Sequence, residues 1–201
     1  MIYLMESIKY PYIKRIPIPQ YPKRGSKPYM TIHEVDSLLE GHIIVEEKLD
    51  GKLTCIPTTA SITPVFEYME WVHSIHYTNL PYSVVHFHIG LDILDSEGTI
   101  LSYTDKSAIF SELHVPLTPL LLDIDNVAIT IDHLISLMDM SSSFGSDYIE
   151  GIVVKNYEKK LFGKIVNPKF DREIDEKDHW LRSPRRRNWI NSAGKENMND
   201  G

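Results

Sequence analysis

Five residues, Glu47-Lys48-Leu49-Asp50-Gly51, have the types and the spacing to do chemistry. They follow the apolar run Ile43-Ile44-Val45, which reads as a buried strand, so Lys48 would stand at a strand end with a carboxylate and a glycine just behind it. A lysine attacks a carbonyl or phosphoryl centre only as the neutral amine. Its ordinary pKa is about 10.4, so a site that uses it must lower that value by desolvation or by neighbouring cations. Gly51 would allow a tight turn and the close approach of a ligand to the backbone. The same residues would also serve in a plain charged hairpin, because Asp-Gly is a standard turn signal.

Further along come pieces that could complete such a site. Glu150-Gly151-Ile152-Val153-Val154-Lys155 reads as a strand that opens on a carboxylate and closes on a lysine. Gly163-Lys164-Ile165-Val166-Asn167-Pro168-Lys169-Phe170 then adds cations. Between these and Lys48 lie Phe66-Glu67, the segment Trp71 to Tyr77 with Leu80-Pro81, and a strand from Val84 that ends Gly90-Leu91-Asp92-Ile93-Leu94-Asp95. Taken in order, E-K-L-D-G, H-S-I-x-Y-x-x-L-P, E-G-I-V-V-K-N-Y-E-K and K-I-V-N-P-K-F resemble the covalent nucleotidyltransferase superfamily of polynucleotide ligases and capping enzymes. Within it the chain is most similar to the small stand-alone ATP-dependent RNA ligases, over about residues 8 to 190.

The resemblance implies an α+β fold, an antiparallel-sheet nucleotidyltransferase domain of the ATP-grasp-like ligase adenylation type. It implies ATP as substrate, magnesium or manganese as the metal, and RNA ends as partners. Lys48 matches the nucleophile that forms a lysyl-AMP intermediate, which is passed to a 5′-phosphate and displaced by a 3′-hydroxyl. Lys164 matches the lysine on the α-phosphate, and Lys155 would add to the same field. Glu150 matches the acid near the metal and the nucleophile, and Glu67 the carboxylate that holds the ribose hydroxyls. Glu47, Asp50 and Gly51 complete the nucleotide-binding turn. Leu91 falls where the family usually has an aromatic on the adenine, a role that Phe87 on the same strand face could take.

The chain also departs from the family pattern. Glu67 follows Lys48 after a short interval, where relatives carry two further strands and an arginine, so the sheet would be short by a hairpin with an exposed edge. No arginine occurs between Arg24 and Arg172, and Val166 stands in place of a second lysine. Two accounts stay open: a minimal ligase in which Lys52 or an N-terminal cation substitutes, or a degenerate nucleic-acid-binding remnant. A DNA ligase or a GTP-using capping enzyme is the other alternative. Both usually carry an appended OB-type domain, which is not expected after residue 190.

Composition bounds the rest. The chain has 201 residues, enough for one domain with a proper core, and a formal net charge of −7. That charge does not advertise a nucleic-acid binder, but it is unevenly spread. Lys9, Lys14, Arg15, Lys23, Arg24 and Lys27 crowd the N-terminal end, and Arg182, Arg185, Arg186 and Arg187 the C-terminal end, either as phosphate-contact surface or as solvated tails. Cys55 is the only cysteine, which excludes an intramolecular disulfide and suits a reducing compartment. No signal peptide or membrane span is evident, so an intracellular protein is expected. His73, His76, His86 and His88 invite a metal reading, but no acid or cysteine pattern completes a zinc site.

The elements must then position Lys48. Residues 1–30, rich in proline, are expected as an extended arm, residues 31–190 as the nucleotidyltransferase domain and 191–201 as a disordered tail. Thr31-Ile32-His33-Glu34 is a capping box for a short helix ending at Gly41. Strands are expected over 42–48, 52–57, 84–94, 99–103, 149–155 and 160–166, and helices near 106–113, 131–139 and 179–189.

Overall fold

The computed structural model describes residues 10–21, 27–49, 52–55, 62–68, 83–84, 88–125, 127–170 and 189–190. Asp50, Gly51, His73, His76, His86, Phe87, Arg182, Arg185 to Arg187, most of the expected helix over 179–189 and the tail over 191–201 lie outside the described residues.

The chain runs β1 (Lys14–Arg15), α1 (Ile32–Leu38), β2 (Ile43–Lys48), β3 (Lys52–Cys55), β4 (Ile62–Tyr68), β5 (Ser83–Val84) and β6 (His88–Asp95). There follow α2 (Tyr103–Glu112), β7 (Leu120–Ile124), α3 (Ile131–Ser136) with a 3-10 turn Leu137–Asp139, β8 (Gly151–Asn156), β9 (Leu161–Val166) and β10 (Trp189–Ile190). The capping box forms as the sequence indicates: Glu34 N donates to Thr31 Oγ1, and Thr31 N donates to Glu34 Oε2 at 2.7 Å. Gly41, at φ +86°, turns the chain into β2, a conformation that favours glycine.

The main sheet has five strands in the order β1-β9-β8-β2-β7. It is mixed, which corrects the expectation of an antiparallel sheet. β2, β7, β8 and β9 are antiparallel neighbours, but β1 joins the edge of β9 in parallel. The reason lies at Gly163. A Cβ there would come within 2.7 Å of Ile16 Cγ1 and 2.8 Å of Met30 Sδ, so the glycine leaves room for the N-terminal segment to lie against the strand. Ile16 N then donates to Lys164 O at 2.9 Å, and Ile16 and Met30 enter the core with Ile43, Val45, Ile152, Val154 and Ile165. Ile16 and Met30, from the segment expected as an extended arm, are thus part of the core.

A second, three-stranded sheet has the order β3-β4-β6. The short interval after Lys48 therefore holds β3 and most of β4, paired antiparallel, with the backbone of Glu67 in register with Leu53 and Ile89. Residues 99–103 do not form the expected strand. Ile100 makes one bridge to Leu94, and Ser102 caps α2, which starts at Tyr103 because Ser102 Oγ accepts from Asp105 N. Residues 189–190 pair in parallel with β5 where a helix end was expected. No helix among the described residues is long and apolar enough to cross a membrane.

Candidate functional site

The strand register decides which side chains share a face. Glu46 and Lys48 are alternate residues of β2, and they face the register partners Val153 and Gly151 of β8. Val153 in turn faces Lys164 of β9. Lys48, Val153 and Lys164 consequently line one face of the sheet, and with Glu46, Lys155, Leu91 and Thr118 they bound a cavity of about 280 Å³. Gly151 is required for this arrangement, since a Cβ there would lie 2.1 Å from Ile165 O.

The ammonium of Lys48, which lines the cavity, forms an ion pair with Glu150 Oε1. The Lys48 side chain is 21% exposed and that of Glu150 7%, so the pair is only partly open to water. Glu150 is held from behind. Its carbonyl accepts from Asn167 N at 2.7 Å, and the Asn167 amide donates to Met138 O and Ile149 O. This gives N-P-K-F a mechanical role: it pins the end of β9 to the start of β8 and drives Phe170 into a small apolar cluster with Leu49 and Ile89.

Lys164 lies in the same cavity. Burial, with the charges of Lys48 and Arg15, pulls its pKa from 10.5 to about 8, against a smaller upward pull from Glu150. Arg15 is its parallel register partner on β1. An N-terminal cation thus flanks Lys164 in a chain that lacks an arginine between Arg24 and Arg172.

Other expected site residues are placed differently from one another. Glu47 lines the cavity, but its carboxylate accepts from Ser142 Oγ at 2.5 Å and from Ser143 N at 3.1 Å. Burial raises its pKa, and the Ser142 and Ser143 donors pull it partly back. Leu91 lines the cavity as an aliphatic wall. For Glu67 only the backbone is described, in β4.

Lys155 does not offer a free charge to the cavity. It belongs to a buried quartet that sequence reading missed. Lys155 Nζ contacts Glu46 Oε2 at 2.6 Å and Asp92 Oδ2 at 2.7 Å, while Lys106 Nζ contacts Glu46 Oε1 at 2.5 Å and Asp92 Oδ1 at 3.6 Å. Two carboxylates balance two ammoniums, as burial of charge requires. Burial pushes Lys155 down, but Asp92 and Glu46 outweigh it and hold its pKa well above the ordinary value. Burial pushes Asp92 up, yet Lys155 and Lys106 hold it below the usual carboxylate range. Lys106 is lowered by burial and by Lys155. The signal was available: an acid inside the apolar strand G-L-D-I-L needs a buried partner. Its partner, on a helix, could not be named from spacing.

Tyr10 and Tyr12 of the N-terminal segment were also missed. Both line the cavity. Tyr10 Oη donates to Asp92 Oδ2 at 2.5 Å, and the Tyr12 ring lies with its centroid 4.9 Å from Lys164 Nζ.

No family model and no curated protein sequence matches the chain. Solved structures do match. The chain is similar to an RNA ligase from Naegleria gruberi with pyrophosphate, at TM-score 0.60 and 15% identity, over 72% of this chain and 55% of that one. It is similar to a variant of that RNA ligase with AMP and manganese, at TM-score 0.59 and 17% identity, over 82% of this chain and 58% of that one. A further variant, with ATP and manganese, matches at TM-score 0.56 and 17% identity, over 70% of this chain and 54% of that one. The chain spans about half the length of these solved structures. It has the α+β fold of an RNA ligase, in agreement with the order of its motifs.

Proposed function

We propose that this chain is an ATP-dependent RNA ligase that works through Lys48. The observation that carries the reading is the meeting of three residues from three separate motifs: Lys48 and Lys164 line one cavity, and Glu150 pairs with Lys48. In the first step the neutral amine of Lys48 attacks the α-phosphorus of ATP. A P–N bond forms, the bond to the bridging oxygen breaks, and pyrophosphate leaves with the electron pair. Lys164 supplies positive charge to the transferring group, with Arg15 beside it. In the second step an oxygen of an RNA 5′-phosphate attacks the same phosphorus and returns the amine to Lys48. In the third a 3′-hydroxyl attacks the 5′-phosphate, and AMP leaves.

The donor set bears on the metal. Among the described residues no group of three or more His, Cys, Asp or Glu could hold an ion. Among the described residues Glu46 is committed to two lysines and Glu47 to Ser142 and Ser143, and Glu150 is the carboxylate paired with Lys48. One carboxylate fits magnesium or manganese that arrives on substrate phosphates with its own waters, rather than a resident ion. When bound, such an ion balances triphosphate charge. Glu150 also holds the Lys48 amine in place, within reach of its carboxylate.

The test is incubation with α-labelled ATP and magnesium, followed by denaturation. An acid-labile, alkali-stable adduct that Lys48→Ala loses supports the reading. An equal adduct in that variant sinks it. Label from GTP instead would point to capping chemistry. The arginine-free stretch from Arg24 to Arg172 favours one rival, a nucleic-acid-binding remnant. It predicts no adduct with any nucleotide and RNA retention that weakens steeply with salt.

A further inference from the structure

The cavity has a wall that none of the motifs explains. Tyr10, Pro11, Tyr12 and Ile13 lie along it, between a fixed point at each end. At one end Tyr10 is tied to Asp92 of the buried quartet. At the other, β1 is bonded to β9 from Lys14 onward, in register with Gly163 and Lys164. Pro11 has no N–H to give, so the span between the two anchors is tied less by its own backbone. Within that span, Tyr12 is 59% exposed, so water reaches its ring. What its ring covers is the ammonium of Lys164.

We propose that Tyr12 is a displaceable cap on Lys164, and that the Tyr10–Ile13 span gates the anion end of the cavity. The inference rests on the reading of Lys164 as a phosphate-binding lysine. A ring face attracts an ammonium through its quadrupole, weakly where water has access. A phosphate oxygen offers the same ammonium a charge-assisted hydrogen bond, which is stronger. An incoming di- or triphosphate therefore takes Lys164 and turns the Tyr12 ring outward, while Tyr10 keeps the span attached. The ring exacts a tax on every binding event. It also keeps a partly buried lysine from gathering adventitious anions when no substrate is present.

The experiment is calorimetric titration of the full chain with inorganic pyrophosphate, for the parent, Tyr12→Ala, Tyr12→Phe and Lys164→Ala. Removing a cation–π contact of this exposure should tighten binding by roughly two- to fivefold in Tyr12→Ala. Tyr12→Phe keeps the ring face and should match the parent. Truncation at so exposed a position leaves the fold intact, which circular dichroism checks directly. Unchanged or weaker binding in Tyr12→Ala overturns the cap. If Lys164→Ala still loses the binding in that case, the phosphate role of Lys164 survives and only the gate is refuted. If Lys164→Ala binds as the parent does, the phosphate role fails as well. Tightening in both Tyr12→Ala and Tyr12→Phe also overturns the cap, since it would trace the effect to the hydroxyl.

Discussion

Glu150 holds the ammonium of Lys48 across the pairing of β8 with β2, where Lys48 and Gly151 are register partners. The carboxylate therefore has two opposed effects. It fixes the lysine at the cavity, and it favours the charged form that cannot attack. Lys48→Arg separates them. Arginine keeps a cation for Glu150 but stays protonated at any working pH. The expected outcome is a thermal midpoint within about 2 °C of the parent and adenylylation at background, read by labelled ATP.

Lys164 sets a pH limit. Its pKa is lowered to about 8, so its ammonium is present below that value and lost above it. Pyrophosphate affinity should hold steady on the acid side and then fall by up to about tenfold per pH unit above 8. Stability should move the other way. The unfolded chain keeps this proton up to the ordinary value of 10.5, so between about 8 and 10.5 the unfolded state binds more protons and stability rises with pH from this group. Titrations of the parent and Lys164→Met at several pH values check both signs. A parent profile identical to the variant's would refute the assignment.

Asp92→Asn should be severe for a reason unrelated to chemistry. It leaves Lys155 and Lys106 sharing Glu46 alone in a dry interior. Breaking a buried ion pair on one side costs about 3–5 kcal/mol. Urea unfolding should show the midpoint fall by that cost divided by the slope, with the slope itself unchanged.

Gly163→Ala should loosen the N-terminal segment while sparing the central strands. The added carbon would press on Ile16 and Met30, which hold β1 against β9. Limited proteolysis should cut between residues 10 and 30 faster in the variant than in the parent.

Chelation should separate fold from activity. With no cluster of three candidate ligands among the described residues, removing divalent ions should leave the thermal midpoint unchanged. The same treatment should abolish adduct formation. A large fall in the midpoint would instead reveal a structural metal.

The sequence was legible where a local rule governs. The Thr31–Glu34 box, the strand that carries Lys48 and the strands over 149–155 and 160–166 follow from side-chain period and capping alone. β7 was not, because Leu120-Leu121-Leu122-Asp123-Ile124 gives an apolar run with one acid, equally readable as helix or strand until β2 pairs with it. The three residues Lys48, Glu150 and Lys164 could be named from motif order. Glu46, Asp92 and Lys106 could not, because their role exists only once three elements close on each other. Tyr10 and Tyr12 escaped for a similar reason: a proline-rich segment reads as solvent-exposed until a glycine far along the chain makes a place for it.

The parallel pairing of β1 with β9 also has a consequence for the order of synthesis. Lys48 and Glu150 are 102 positions apart, and β9 and Asn167 follow Glu150. A chain leaving the ribosome would display Lys48 and the tyrosines long before their partners exist. Folding that depends on such distant pairings is slow. The cavity that Lys48 and Lys164 line should therefore stay incomplete for most of translation, closing only when the ninth strand slides in between the first and the eighth.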